Sequence, residues 1–318
     1  MKLNKLLSQA PKKESKVVAT CIASLDSMIG GLHIGQVCTV AARPAMGKTA
    51  FAMTLAKNIG IMNKVPTAIL SLEHSEDYVV ERLFATQFGW GKNTHANSPI
   101  PIVESKMNKE AEKAISMLQE AGFKSEEMER KEFVQKMKEA PVWIEHGVNL
   151  TMDEVIARVE RMKKNDNIQV LIIDGLAWII AGQTYTEREA SMLKLNQLAS
   201  RLNIAILITS ELTRDVEHRI GNKPILSDLR GGFCVEVYSA TVIFIYRPEY
   251  YGIQEDEYGS TQDVADIIVA KNDYGNVGEV RLRFANRARF EDMLGNSRVL
   301  CQSQIEDELA AVTESLDF

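Results

Sequence analysis

Cysteine is scarce in this 318-residue chain, and its four copies, Cys21, Cys38, Cys234 and Cys301, are widely scattered. They form no C-x-x-C spacing, which excludes a zinc ribbon or a dithiol redox motif and leaves the reduced thiols of a cytoplasmic protein as the plain reading. Long apolar runs are also missing. None approaches the ~18 residues that a spanning helix needs, so no membrane segment is expected. The opening residues, MKLNKLLSQAPKKESK, are basic and polar and lack the apolar core of a secretory signal. There is no surplus of positive charge either: a net charge of −6 argues against a surface coated for generic nucleic-acid binding. A basic channel inside an acidic exterior stays compatible with that balance, so bulk charge decides nothing alone. Internal repeats and low-complexity tracts are absent.

What is present is an alternation of apolar runs and amphipathic stretches. Residues 1–20 read as a polar arm or linker with Pro11 and a charged cluster, residues 21–300 as one α/β domain, and the acidic residues 301–318 as a tail. The runs QVCTVAA (36–42), TAILSLE (67–73), QVLIIDG (169–175), NIAILITSE (203–211) and ATVIFIYR (240–247) are rich in Val, Ile and Leu. Strands buried on both faces have this composition, which predicts a mostly parallel central sheet flanked by helices. Residues 106–140, rich in Lys, Glu and Met, predict a peripheral insertion of two solvated helices broken near Gly122.

The segment ARPAMGKT (42–49) fits a P-loop with Ala42 in place of the first glycine. It falls between a predicted strand and a predicted helix, the context such a loop requires. The nucleotide-binding segment is expected over Arg43, Pro44, Ala45, Met46, Gly47, Lys48, Thr49 and Ala50; its backbone N–H groups, which Pro44 alone lacks, would face phosphate oxygens. Lys48 would reach the β- and γ-phosphates of ATP, and the Thr49 hydroxyl would ligate Mg²⁺. Asp174, closing an apolar strand, is the candidate to hold that magnesium through water; its other reading is a turn residue before Gly175. Glu73 follows the next strand and is the candidate base that aligns water against the γ-phosphate. Its other reading is a solvated carboxylate where a helix opens.

Taken together, SLDSMIGGLHIGQVCTVAARPAMGKTAFAMTLA, SLEHSEDYVVERL, LIIDGLAWI, ITSELTRDVEHRIGNKPILSDLRGG, FIYRPEYY and ADIIVAKNDYGNVGEVRLRFANRARFED resemble, in order, the motor domain of DnaB-type replicative DNA helicases. The resemblance runs over about residues 22–293. The last two segments set it apart from RadA/KaiC-type ATPases; the resemblance is to the helicase family's motor domain, and a short arm is expected in place of that family's N-terminal helical domain. The resemblance implies a RecA-like P-loop NTPase fold, a homo-oligomer of six subunits, ATP bound between neighbours and single-stranded DNA in the channel. A primase or loader is an implied partner. By position, Lys48 and Thr49 match the P-loop, Arg43 its usual flanking arginine, Glu73 the catalytic glutamate and Asp174 the magnesium aspartate. Lys271 matches a lysine that reaches the neighbouring subunit's nucleotide, and Arg230 an arginine of a DNA-facing loop.

Three departures stand out. AKNDYG places Asp273 where the family carries its arginine finger, a group contributing ~10³–10⁵-fold to hydrolysis where one is used. Glu211 replaces a glutamine that senses the γ-phosphate, and LRGGF replaces LRESG after Arg230. Arg281, Arg283, Arg287 or Arg289 would be either a substitute finger or plain edge-strand charges. The DNA-facing candidates are Arg214, Arg219, Lys223 and Arg230, with a second loop at AGQTYTEREA containing Thr184 and Arg188. Phe233 is read as packing under its loop in preference to stacking on a base. The functional expectation is an ATP-dependent DNA helicase motor. The alternatives are a nucleotide-gated assembly subunit with weak turnover and a filament-forming recombination ATPase.

Overall fold

The computed structural model describes residues 16–89 and 126–293; the expected arm and tail, and the break near Gly122, lie outside them. Each of the five apolar runs forms a strand. After a small antiparallel ladder of β1 (Val17–Val18) and β2 (Leu32–His33) come β3 (Val37–Ala42), β4 (Thr67–Ser71), β5 (Val142–His146), β6 (Val170–Asp174), β7 (Ala205–Glu211) and β8 (Thr241–Tyr246). β9 (Glu255–Asp256) and β10 (Gly259–Ser260) pair with each other, and β11 (Val264–Asn272), β12 (Gly278–Ala285) and β13 (Arg289–Asp292) follow. The main sheet has nine strands in the order β13-β12-β11-β8-β3-β7-β6-β4-β5. From β8 to β5 all neighbours are parallel, whereas β11, β12 and β13 add antiparallel. β5 is the strand that the apolar runs did not announce. All five of its residues are only half-buried, so it lacks the continuous apolar signature of the interior strands.

Successive residues of each central strand serve opposite cores. In β6, Val170 and Ile172 face a cluster that contains Phe51, Leu55, Phe284 and Phe290, while Leu171 and Ile173 face one that contains Val155, Val159, Leu195 and Leu198. The first cluster is closed by α1 (Ala23–Ile29), α2 (Lys48–Ala56), α3 (Glu76–Phe88) and α4 (Glu126–Glu139). The second is closed by α5 (Met152–Asp166) and α7 (Tyr185–Leu202), with the short α6 (Ala177–Ile180) and α8 (Phe233–Val237) beside them. A two-faced sheet needs helices on both sides, which is why its central strands carry no exposed polar face.

Sequence signals fix the helix ends. Thr151 and Thr184 each accept from the backbone N–H of the N3 glutamate and complete capping boxes for α5 and α7. Asn167 and Asn203 close the same helices in the left-handed conformation. α4 corrects the solvated-insertion expectation for its half: Phe133 is buried against Phe84 and Phe88, so the helix is docked on the core.

The β11–β12 hairpin is braced at its tip. Tyr274 stacks on His33 with ring centroids 3.7 Å apart, and Asn272 Nδ2 donates to the Met28 carbonyl at 3.2 Å. At the other end of α1, Asp292 of β13 accepts from the backbone N–H groups of Ala23 at 2.7 Å and Ser24 at 3.1 Å. A carboxylate at a helix N-terminus satisfies free donors and complements the dipole.

Candidate nucleotide site and the loops around it

The carboxyl ends of β3, β4, β6 and β7 lie along one edge, and the predicted chemistry gathers there. β3 runs directly into the P-loop, Ser71 of β4 pairs with Asp174 of β6, and Ala42 pairs with Glu211 of β7. Glu73 lies two residues past the end of β4 and is exposed. Ligand sites of open parallel sheets form at this edge because the strands diverge there.

The P-loop turn is built for close approach. Ala45 has φ +64° and Gly47 φ +100°, and a Cβ on Gly47 would meet Phe290 at 3.0 Å and Phe284 at 3.2 Å. Only glycine fits that floor. Gly47 caps α2 without any side-chain acceptor, in contrast to the capping boxes of α5 and α7. The first N–H groups of α2 are therefore left for an anion. Lys48 Nζ donates to the Ala42 carbonyl at 3.0 Å. Burial pushes its ammonium below the ordinary lysine range, against the pull of Glu211, Asp174 and Glu73, which all stand close enough to act on it. A cation destabilised by burial is one that a polyphosphate would stabilise.

Asp174 is 2% exposed, with Oδ1 accepting from Thr209 Oγ1 at 2.7 Å and Oδ2 buried without a protein partner. An orphaned carboxylate oxygen beside a lysine fits the demands of a hydrated divalent cation.

Arg43 sits otherwise than expected. Its Nε and Nη2 donate to Glu217 at 2.9 and 2.7 Å, and its Nη1 donates to the Leu212 carbonyl. It ties the P-loop to the segment after β7. Arg247, which the sequence reading passed over, donates to the Ala45 carbonyl at 3.3 Å and lies over the Phe284 ring. The signal that would have found it is the arginine directly after an apolar strand, at the same sheet edge as the P-loop.

Lys271 belongs to the opposite edge. It pairs with Val242, near the start of β8, whereas Asp266 pairs with Tyr246 at the end. Its ammonium donates to the Glu236 and Ser239 carbonyls at 3.0 and 2.7 Å, and Asp273 stands 3.6 Å away. Since β8 runs parallel to β3, roughly 10 Å of strand separates Lys271 from the P-loop of its own chain. The four candidate finger arginines lie toward the P-loop edge instead. Arg281 is committed to Asp256 and Asp266, which hold its guanidinium above the ordinary range, while Arg283 and Arg289 pair with Glu291. Arg287 is exposed on the turn between β12 and β13.

The loop after β7 returns to the same edge through a bridge from Leu212 to Leu229. Its cations divide. Arg219 donates to both oxygens of the buried Asp228, and Lys223 pairs with Glu279 at 2.8 Å. Arg230 pairs with Glu211, and Arg214 is exposed. Phe233 is 64% exposed, so it does not pack under the loop as expected. Thr184 and Arg188 are not in a loop at all, because Thr184 caps α7 and Arg188 lies in its first turns.

A parallel-sheet core, a phosphate loop feeding a helix, and a strand-end aspartate beside the loop's lysine define a RecA-like P-loop ATPase domain. More narrowly, residues 17–292 match the model of the DnaB-like helicase C terminal domain, and the chain belongs to that family. It is 30% identical over 310 residues to the replicative DNA helicase DnaB of Rickettsia bellii, covering 87% of this chain and 58% of that one. To the probable replicative DNA helicase of Trieres chinensis it is 26% identical over 302 residues, covering 92% of this chain and 61% of that protein. The chain thus spans about three fifths of these relatives. A solved structure described as a DnaB-like replicative helicase and its interactions with primase superposes with a TM-score of 0.71 at 23% identity, over 92% of this chain and 67% of that one. Among the described residues no helix is long and apolar enough to cross a membrane.

Proposed function

We propose that this chain is the motor of an ATP-dependent DNA helicase, assembled as a homo-oligomeric ring, the hexamer that the family resemblance implies, around single-stranded DNA. One observation supports the reading: Lys271, tied to the Glu236 and Ser239 carbonyls, lies toward the sheet edge opposite its own P-loop, while Lys48, Asp174, Glu73 and Glu211 converge at that loop, the arrangement expected if Lys271 serves a site shared between two copies. In that site the uncapped N–H groups of α2 and Lys48 hold the phosphates, and Thr49 and Asp174 hold the magnesium ion. The ion supplies charge neutralisation of the β- and γ-phosphates. Glu73 orients the attacking water, and Lys271 enters from the adjoining subunit. DNA phosphates are met by Arg214 and Arg230, whereas the structure supports Arg219 and Lys223 as braces of the loop. A primase or loader is a partner by analogy with the relatives.

A second reading, a nucleotide-gated assembly subunit with weak turnover, is favoured by Asp273 lying beside Lys271 on the trans edge. Phosphate release with and without single-stranded DNA separates the two. A motor gives DNA-stimulated turnover that Lys48→Ala abolishes. Binding of ATP and DNA without stimulated turnover would overturn the motor reading in favour of the second. Electron micrographs with ATP and DNA test the ring, and filaments in their place would point to a recombination-type ATPase.

A further inference from the structure

We propose that Thr209 is a positioning residue that fixes the Asp174 carboxylate for the divalent cation accompanying the nucleotide, an inference that rests on the magnesium–nucleotide reading of the site. Thr209 lies in β7, paired with Val40 of β3, and is 1% exposed. A hydroxyl has one proton to give. Here the direction of that proton is set, because the Gly175 N–H donates to Thr209 Oγ1 at 2.8 Å while the hydroxyl donates to Asp174 Oδ1 at 2.7 Å. One side chain therefore anchors both the carboxylate and the turn that follows it.

The turn is tight, since Gly175 has φ +109° and a Cβ there would meet Trp178 Cδ1 at 2.9 Å. The Gly175 N–H is thus satisfied by Thr209, and Asp174 Oδ1 is engaged by the protein. The second oxygen, Oδ2, is left buried and unpartnered. Lys48 is the cation close enough to feel it, and Lys48 itself already donates to Ala42. A carboxylate held at one oxygen and bare at the other is what a cation's hydration shell requires, since the free lone pairs must stand still to be useful. Partners of this kind commonly change metal affinity ~10–100-fold when removed. Sequence reading had no reason to single out a threonine in an apolar strand. The clue is positional: Thr209 and Glu211 are two residues apart in β7 and so face the same side of the sheet.

The test uses Mn²⁺ as the probe, read by electron paramagnetic resonance on the full chain with a saturating non-hydrolysable ATP analogue. Nucleotide affinity in EDTA is measured alongside. Thr209→Val keeps shape and removes the hydroxyl; it is expected to weaken Mn²⁺ ~10-fold or more, with metal-free nucleotide affinity unchanged. Thr209→Ser should hold Mn²⁺ within about threefold of the original by the same chemistry. If Thr209→Val does not fold, Thr209→Ala is read in its place. Mn²⁺ affinity of the hydroxyl-free variant within about threefold of the original would overturn the positioning role and leave the nucleotide site standing. Metal-free nucleotide affinity falling in parallel would also overturn it, by showing a general packing role. Failure of the unaltered chain to bind Mn²⁺ with nucleotide would instead sink the magnesium reading itself.

Discussion

Glu211→Gln is the most informative single change. Glu211 stands between two cations: it pairs with Arg230 of the return loop, and it is the foremost carboxylate acting on Lys48. Neutralising it releases Arg230 for a DNA phosphate. The Arg230 and Glu211 side chains are 58% and 35% exposed, so solvent screens the pair, and exposed pairs contribute ~0.2–1 kcal/mol. At ~1.4 kcal/mol per tenfold, affinity for single-stranded DNA should rise about 1.4- to 5-fold at low salt. The same change removes a negative charge from beside Lys48, so in the proposed site ATP binding should tighten as well. Fluorescence anisotropy of a labelled oligonucleotide over a salt series measures the first effect. Arg230→Ala should erase the gain and lower the salt slope by ~0.7, the value for one phosphate contact on a single strand. Equal DNA affinity of Glu211→Gln and the unaltered chain across that series, or a gain that persists without Arg230, would refute the reasoning.

Burial, with Arg289 nearby adding to the effect, pushes Lys57 down from 10.5 to about 8. Its charged form therefore costs folding free energy below pH 8, and stability should rise between about pH 8 and 10.5, where the unfolded chain holds the extra proton. Lys57→Met should raise stability at pH 7 by up to ~3 kcal/mol and flatten that rise, as followed by urea melts. Arg219→Ala leaves the buried Asp228 carboxylate with the Ile225 N–H but without its cation and should lower the urea midpoint in the same melts. Asp273→Arg should increase DNA-stimulated phosphate release if the adjoining subunit's hairpin reaches the γ-phosphate; unchanged turnover would show that position 273 stays clear of it. Phe233→Ala should leave the melting temperature unchanged, because the ring is mostly in solvent.

The interior strands were legible because continuous Val/Ile/Leu runs have few other uses, and the P-loop because its strand and helix flank it. β5 was not, since a half-buried edge strand such as VWIEH carries no periodic mark. The placement of the candidate site was legible where a neighbouring strand sets it: Lys48, Thr49 and Asp174 sit at the edge that their runs predicted. It was illegible where the role depends on a distant partner. Nothing near Arg219 in sequence foretells that Asp228 will be buried beneath it, and nothing near Arg43 foretells Glu217. Thr184 and Arg188 misled for a related reason: a capping box and a polar loop share the same residue types, and only the helix that follows tells them apart. Phe233 misled in the other direction, because an aromatic ring after two glycines is usually drawn inward.

The clasp at the hairpin tip has a mechanical corollary. Phe290 touches the floor of the P-loop, its strand neighbour Asp292 holds the start of α1, and the end of α1 holds Asn272. The two margins of the sheet are thus joined by a second route that bypasses the strands, like a stay running from mast to stern. Whatever displaces the floor of the P-loop therefore also tugs on the tip of the β11–β12 hairpin, so the two ends of the sheet are geared together.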